Sequence, residues 1–191
     1  MSAPPSSTEE LLRRIESGER VKYLHFWGHR ARPDGSIGPS CLSQWWPAPF
    51  EADGVGFASA EHYMMWSKAR LFGDEPTAAR ILNVSHPNEA KTLGRTIAGF
   101  DEPTWERERF AIVVAGSIAK FAAHAGLREF LLGTGKRVLV EASPLDRVWG
   151  IGLAADDRAA NDPARWRGLN LLGFALMRAR HELAGRGEGR S

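Results

Sequence analysis

DEPTWERERFAIVVAGSIAKFAAH, residues Asp101 to His124, is the stretch on which the fold turns. Asp101 offers a side-chain oxygen to the first amides of a helix, and Pro103 stands just inside, where a missing N–H costs nothing. Beyond them Phe110, Val113, Val114, Ser117, Ile118 and Phe121 recur at helical spacing. The pattern predicts one long central helix ending near His124, where Gly126 interrupts it.

Working outward, the helical signals outnumber the strand signals. Ser7-Thr8-Glu9-Glu10 has capping-box spacing for a short helix reaching about Glu16. Ser59 precedes a helix that should stop near Gly73, and Pro76 and Pro87 open short helices over Glu75–Leu82 and Asn88–Ala98. Leu127–Leu132 reads as another, and Pro163 begins a last helix running to about Ala184. Val21–Trp27 and Val138–Glu141 read as strands, and Gly54–Phe57 as a short edge strand. Pro47 and Pro49 keep Trp45–Phe50 out of a sheet centre. Arg30–Cys41, with Pro33, Asp34-Gly35, Gly38 and Pro39, is a loop. The expectation is an α+β, predominantly α-helical compact single domain over residues 21–184 with a small β-sheet. An N-terminal extension carries the short helix (1–20), and a flexible C-terminal tail follows (185–191). No internal repeat or heptad run is present, which excludes a solenoid or coiled coil.

With 191 residues and 43% hydrophobic content, the chain has enough apolar material for one substantial core. Lysine and arginine exceed acids by 25 to 23, a formal charge of +2, so any nucleic-acid contact is expected to be local rather than a broad basic face. Cys41 is the only cysteine. That excludes an intramolecular disulfide and a zinc site of several thiolates, and fits a buried apolar role in a reducing compartment. No apolar stretch approaches the roughly 20 residues of a membrane span, and the first ten residues lack the order of a secretory signal. A cytoplasmic protein with no membrane partner is expected.

Chemistry-bearing residues concentrate in the helix that follows Ser59, Ser59-Ala60-Glu61-His62-Tyr63-Met64-Met65-Trp66-Ser67-Lys68-Ala69-Arg70. Positions i, i+4 and i+7 share a helix face, so Glu61, Met65 and Lys68 point the same way over roughly 10 Å. A carboxylate there can stabilise a cationic transition state or orient water, and a lysine that sheds its proton is a nucleophile toward a sugar carbon. A first-turn acid and a solvated flank lysine account for the same spacing.

Other candidates are aromatic. Phe26-Trp27-Gly28, Trp45-Trp46, Trp105 and Trp149 carry rings suited to stacking on a flat base, and equally suited to core packing. Asp146-Arg147-Val148-Trp149-Gly150-Ile151-Gly152-Leu153 follows a strand. Its glycines let backbone amides approach an anion, and a tight turn with an Asx bond at Asp146 explains them as well. Asn170, an amide in an apolar helical stretch, must bond to a loop or a ligand. The six histidines show neither the i, i+4 pairing nor the cysteine company of a metal site, and there is no Walker loop, nucleophile elbow or Rossmann fingerprint. No metal and no cofactor is expected.

The ordered blocks Phe26-Trp27-Gly28, Cys41-Leu42-Ser43-Gln44-Trp45, Ser59-Ala60-Glu61-His62-Tyr63 with Lys68, Leu71-Phe72-Gly73, Trp105, Asp146 to Gly152 and Asn170-Leu171-Leu172-Gly173 closely resemble the NADAR (YbiA-like) domain family over about Tyr23–Glu182. The resemblance implies a helical α+β domain that hydrolyses N-glycosidic bonds. Carried over by position, it makes Glu61, Lys68 and Asp146 the catalytic candidates. Phe26, Trp27, Gly28, Ser43, Trp45, His62, Met65, Trp105, Trp149, Gly150, Gly152 and Asn170 become the substrate-binding ones. Trp66-Ser67 departs from the family pattern. Two substrates fit: ribosylamino-pyrimidine phosphates of riboflavin biosynthesis, or ADP-ribose linked to guanine in DNA or RNA. A non-catalytic NAD- or ADP-ribose-binding module is the alternative.

Overall fold

The computed structural model describes residues 3–188. Its elements run α1 (Thr8–Glu16), β1 (Tyr23–Phe26), a 3-10 turn at Pro39–Leu42, β2 (Phe50–Ala52), β3 (Val55–Phe57), α2 (Ala60–Leu71), α3 (Glu75–Leu82), α4 (Pro87–Gly94), α5 (Glu102–Ala123), α6 (Ala125–Gly133), β4 (Val138–Glu141), 3-10 turns at Arg158–Asn161 and Pro163–Arg165, and α7 (Leu171–Glu188). The chain is 51% helical, the predominantly α-helical α+β class expected. Among the described residues no single helix is long and apolar enough to cross a membrane. Two compact units divide the chain: Gln44–Ala125, and the flanking residues up to 43 and from 126 onward.

In the Gln44–Ala125 unit, β2 and β3 form an antiparallel hairpin in the register Phe50↔Phe57. Its two-residue turn is Asp53-Gly54, both with positive φ (52° and 75°), the left-handed geometry that Asp and Gly accept best. Phe50, Phe57, Ala60 and Tyr63 form the core cluster, with Trp66 and Ile112 against it. Trp66, the departure from the family pattern, packs edge-on to Phe57 at 5.3 Å. The predicted central helix is α5, capped where expected: Asp101 Oδ2 accepts from the Thr104 amide at 2.9 Å. A Cβ at Gly116 would sit 2.4 Å from the Tyr63 ring, so glycine there sets the approach of α5 to α2. Asp74 caps α3 by accepting from Thr77 N at 3.0 Å. Its other oxygen takes the Ala98 amide at 2.8 Å, and this tie explains why α4 ends at Gly94 rather than at the expected Ala98.

In the other unit, β1 and β4 pair in parallel, Tyr23↔Val138 through Phe26↔Glu141. Leu139, Val140, Ile151, Phe174, Leu176 and Met177 supply a core of fully buried side chains. α1 is capped by Ser7, whose Oγ accepts from Glu10 N at 3.2 Å. The last helix starts at Leu171, not at Pro163 as the proline signal suggests. Residues 167–170 are instead non-helical and bonded to the 147–151 segment: Arg167 N to Ile151 O, Leu169 N to Arg147 O and Asn170 N to Gly150 O, at 2.9 to 3.1 Å. Gly168 permits that approach, since a Cβ there would lie 2.3 Å from Gly150 O. The helix continues through Glu188, so the expected tail from 185 is helical at its start. Residues 189–191 lie outside the described residues.

Candidate active site

Helix α2 presents its acid and its amine on one stripe. Ser59 holds the N-cap position with extended backbone, but its hydroxyl does not cap; it bonds to His62 Nδ1 at 2.8 Å. Glu61 is 3% exposed, and its amide donates to the Gln44 carbonyl at 3.0 Å. Met65 follows one turn on, packed so closely on α4 that a Cβ at Gly94 would meet its sulfur at 2.1 Å. Lys68 comes next on the stripe and donates from Nζ to that same glycine's carbonyl at 3.0 Å. The Gly94 end of α4 therefore receives both Met65 and Lys68.

The Lys68 ammonium sits 4.2 Å from the centroid of Phe100 and 5.3 Å from that of Trp105. Rings favour the cation, yet burial penalises it more, and the amine is held below the ordinary lysine value. The charge of Glu102, on the first turn of α5, opposes this shift. Trp105 is only 7% exposed, with polar chain neighbours Glu106 and Arg107 turned outward. Phe100, by contrast, is 41% exposed and packs edge-on to Phe72 at 5.3 Å. Phe72 lies in the Leu71-Phe72-Gly73 block, but Phe100 does not follow from the sequence pattern; the signal that was available is a large apolar ring in the glycine turn just before the Asp101 cap.

Trp45 is half-buried, edge-on to His86 at 6.0 Å with Lys91 Nζ 5.8 Å from its ring. His86 is itself a cap, its Nδ1 accepting from Asn88 N while Glu89 returns a bond to its amide. His62, a candidate for substrate contact, is 1% exposed and bonded to Ser59. Burial lowers its pKa below the ordinary histidine value.

In the other unit, β4 leads into the loop that holds the remaining candidates. Asp146 Oδ1 accepts from the amides of Val148 at 2.9 Å and Trp149 at 2.8 Å, and its carbonyl accepts from Gly152 N at 3.1 Å. One carboxylate oxygen thus fixes the backbone beneath Trp149, which is half-buried. Gly150 is required by crowding, with a Cβ there 2.9 Å from Glu141 O. Gly152 combines a φ of +66° with a Cβ position 3.0 Å from Arg167.

Asn170 finds partners within the protein. It is fully buried, with φ +53°, and its amide bonds to β4: Oδ1 accepts from Glu141 N and Nδ2 donates to Leu139 O, both at 2.9 Å. It braces the strand that carries the Asp146 loop. Phe26, expected near sugar or base, is 3% exposed and belongs to the core, whereas the next residue, Trp27, is 62% exposed. Gly28 has a φ of +74° and is exposed; Ser43 is buried at the end of the Pro39–Leu42 turn, beside Cys41, which is also buried. Among the described residues no group of three His, Cys, Asp or Glu side chains is placed to hold a metal ion.

Residues 25–184 match the NADAR domain. The chain is 41% identical over 170 residues to an N-glycosidase of Acanthamoeba polyphaga mimivirus, covering 86% of this chain and 98% of that protein. It is 33% identical over 136 residues to the N-glycosidase YbiA of Escherichia coli, covering 71% and 76%. The NMR structure of the E. coli protein YbiA is similar with a TM-score of 0.68 at 27% identity, over 90% of this chain and 94% of that one. The match runs from β1 into α7 through both compact units, and the chain belongs to the NADAR domain family.

Proposed function

We propose that the protein is an N-glycosidase, a hydrolase that cleaves the C1–N bond between a ribose and an amine-bearing base. The substrate is either ADP-ribose attached to guanine in nucleic acid or a ribosylamino-pyrimidine phosphate. The observation that carries the reading is Lys68: an amine with its proton affinity lowered by burial, held between two aromatic rings, on the helix face that also bears a buried carboxylate at Glu61. Relatives named N-glycosidases support the reaction class.

Cleaving the bond builds positive charge at C1, and water must end up on that carbon while a proton goes to the departing amine. In the route Lys68 suggests, the sugar ring opens, the C1–O electron pair leaves with the ring oxygen, and the base nitrogen forms an iminium with C1. Nζ adds to C1, the base amine departs with a proton, and a lysine Schiff base remains. Water then hydrolyses it, returning the lysine and releasing the sugar, with one water consumed overall. Glu61 orients that water or offsets the charge. On the family pattern Asp146 and Trp149 are further candidates for substrate contact. ADP-ribosylated DNA or RNA would be met through a local flipped or single-stranded base, as the charge of +2 suits.

A side-by-side mass-spectrometric assay of ADP-ribosylated guanine DNA and a ribosylamino-pyrimidine phosphate tests the proposal, with borohydride added during turnover. Release of the base from one substrate and a reduced adduct on Lys68 are expected. Tight ADP-ribose binding with neither substrate hydrolysed would establish the alternative, a binding module without turnover.

A further inference from the structure

A cavity elsewhere in the molecule shares no residue with the α2 site. It encloses about 630 Å³ within the unit that holds α1, β4 and α7, inside the size range of small-molecule sites. Leu11, Val21, Leu132, Val138 and Met177 make its apolar wall. Arg14, Lys136 and Arg180 bring three cationic groups to it, with His181 beside them, against one carboxylate, Glu19. Arg14 is already matched by Glu10 at 2.6 Å.

Arg180 is the telling group. Its Nη1 donates to Thr134 Oγ1 at 2.6 Å and to the Arg137 carbonyl at 3.0 Å, which fixes the guanidinium in place. Among the described residues no carboxylate bridges to it, and its charged neighbour is Arg137, of the same sign. Burial first, then Arg137, pull its pKa down to about 10. An oriented, half-buried guanidinium facing a like charge is costly unless an anion meets it. The apolar wall beside it suits the hydrophobic body of such an anion.

We infer that this cavity binds a small organic anion, its apolar body on Leu11 and Met177 and its carboxylate, sulfonate or phosphate on Arg180. The inference does not depend on the glycosidase reading.

The probe is 8-anilinonaphthalene-1-sulfonate, titrated into the full chain by calorimetry, with the uncharged N-phenyl-1-naphthylamine as control. Methyl resonances of the four methionines locate the ligand. Saturable one-to-one binding that shifts Met177 and leaves Met65 unmoved is expected, with the neutral probe much weaker. Removing a charge-assisted contact in Arg180→Met should weaken binding at least ~10-fold. Ala184→Trp, which fills the cavity and leaves Arg180 intact, should abolish it. If Arg180→Met fails to fold, Lys136→Gln, at an exposed side chain, and added salt should each weaken binding measurably. Equal binding of the neutral probe, shifts away from Met177, or affinity indifferent to these changes would overturn the inference.

Discussion

Lys68 Nζ donates to the Gly94 carbonyl at 3.0 Å, so the end of α4 holds the amine of α2 against Phe100 and Trp105. A carbonyl and two ring faces favour the ammonium. Burial still dominates, and the amine's pKa lies below that of an ordinary lysine.

The sign of the pH dependence follows. Because the folded state holds the amine's pKa below that of a solvated lysine, the free-amine fraction grows at lower pH, and turnover should rise with pH through that lowered value. Glu102 opposes the shift. Glu102→Gln therefore moves the rise to still lower pH, read from kcat against pH. Stability has the matching trend: between the folded and unfolded pKa values the unfolded chain binds more protons, so stability increases with pH. A rise that stays put or moves upward in Glu102→Gln would show that Lys68 does not set the profile.

Glu61 tests the acid of the pair separately. It is buried on the stripe of Met65 and Lys68, and Gln is nearly its shape. Glu61→Gln is expected to lose at least ~10²-fold in kcat, the scale of a positioned acid or base, while folding as before. Circular dichroism and a turnover assay on the same preparation decide it; near-normal turnover would remove Glu61 from the mechanism.

Local signals carried much of this architecture. Side-chain caps at Ser7 and Asp101, Pro76 just inside α3 and the apolar spacing of α5 place four of the helix boundaries from sequence alone, because each is a short-range preference. The start of α7 was illegible because Pro163 is a valid helix opener whose preference is overridden by backbone pairing with residues 147–151, distant in sequence. The stripe Glu61, Met65, Lys68 could be read because helical periodicity is local. Phe100 could not, since its nearness to Lys68 depends on how the 95–101 turn is tied to Asp74. The partners of Asn170, Glu141 N and Leu139 O, were not legible, because sequence shows that a buried amide needs partners and not which it finds.

The Asp146 carboxylate holds its turn, and the proposed reaction asks it for charge as well. Oδ1 holds two amides, and an Asn side-chain oxygen can accept the same bonds. Asp146→Asn should leave stability within about 0.5 kcal/mol and keep Trp149 in place while turnover falls at least ~10-fold, the loss isolating the charge. Asp146→Ala should lose the turn as well, seen as an altered Trp149 indole resonance, assigned by its loss in Trp149→Phe. Full turnover in Asp146→Asn would reduce Asp146 to a turn residue.

The brace between α7 and β4 gives a prediction in which two effects of opposite sign compete. Gly173→Ala improves helix propensity by about 1 kcal/mol. Its Cβ, however, would stand 2.1 Å from Leu139 O and 2.6 Å from the Asn170 amide, atoms that belong to a buried strand and a spent side chain and have no room to yield. The clash wins, and net destabilisation of about 1–3 kcal/mol is expected. Asn170→Ala strands the Glu141 amide and the Leu139 carbonyl and places alanine at a positive φ, for about 2–4 kcal/mol. Since both changes act on the same contact, the double variant should cost less than the sum of the two. Urea unfolding of the three variants measures this; a stabilised Gly173→Ala would mean that α7 is free to slide along β4 and that the loop bearing Asp146 is not held from behind.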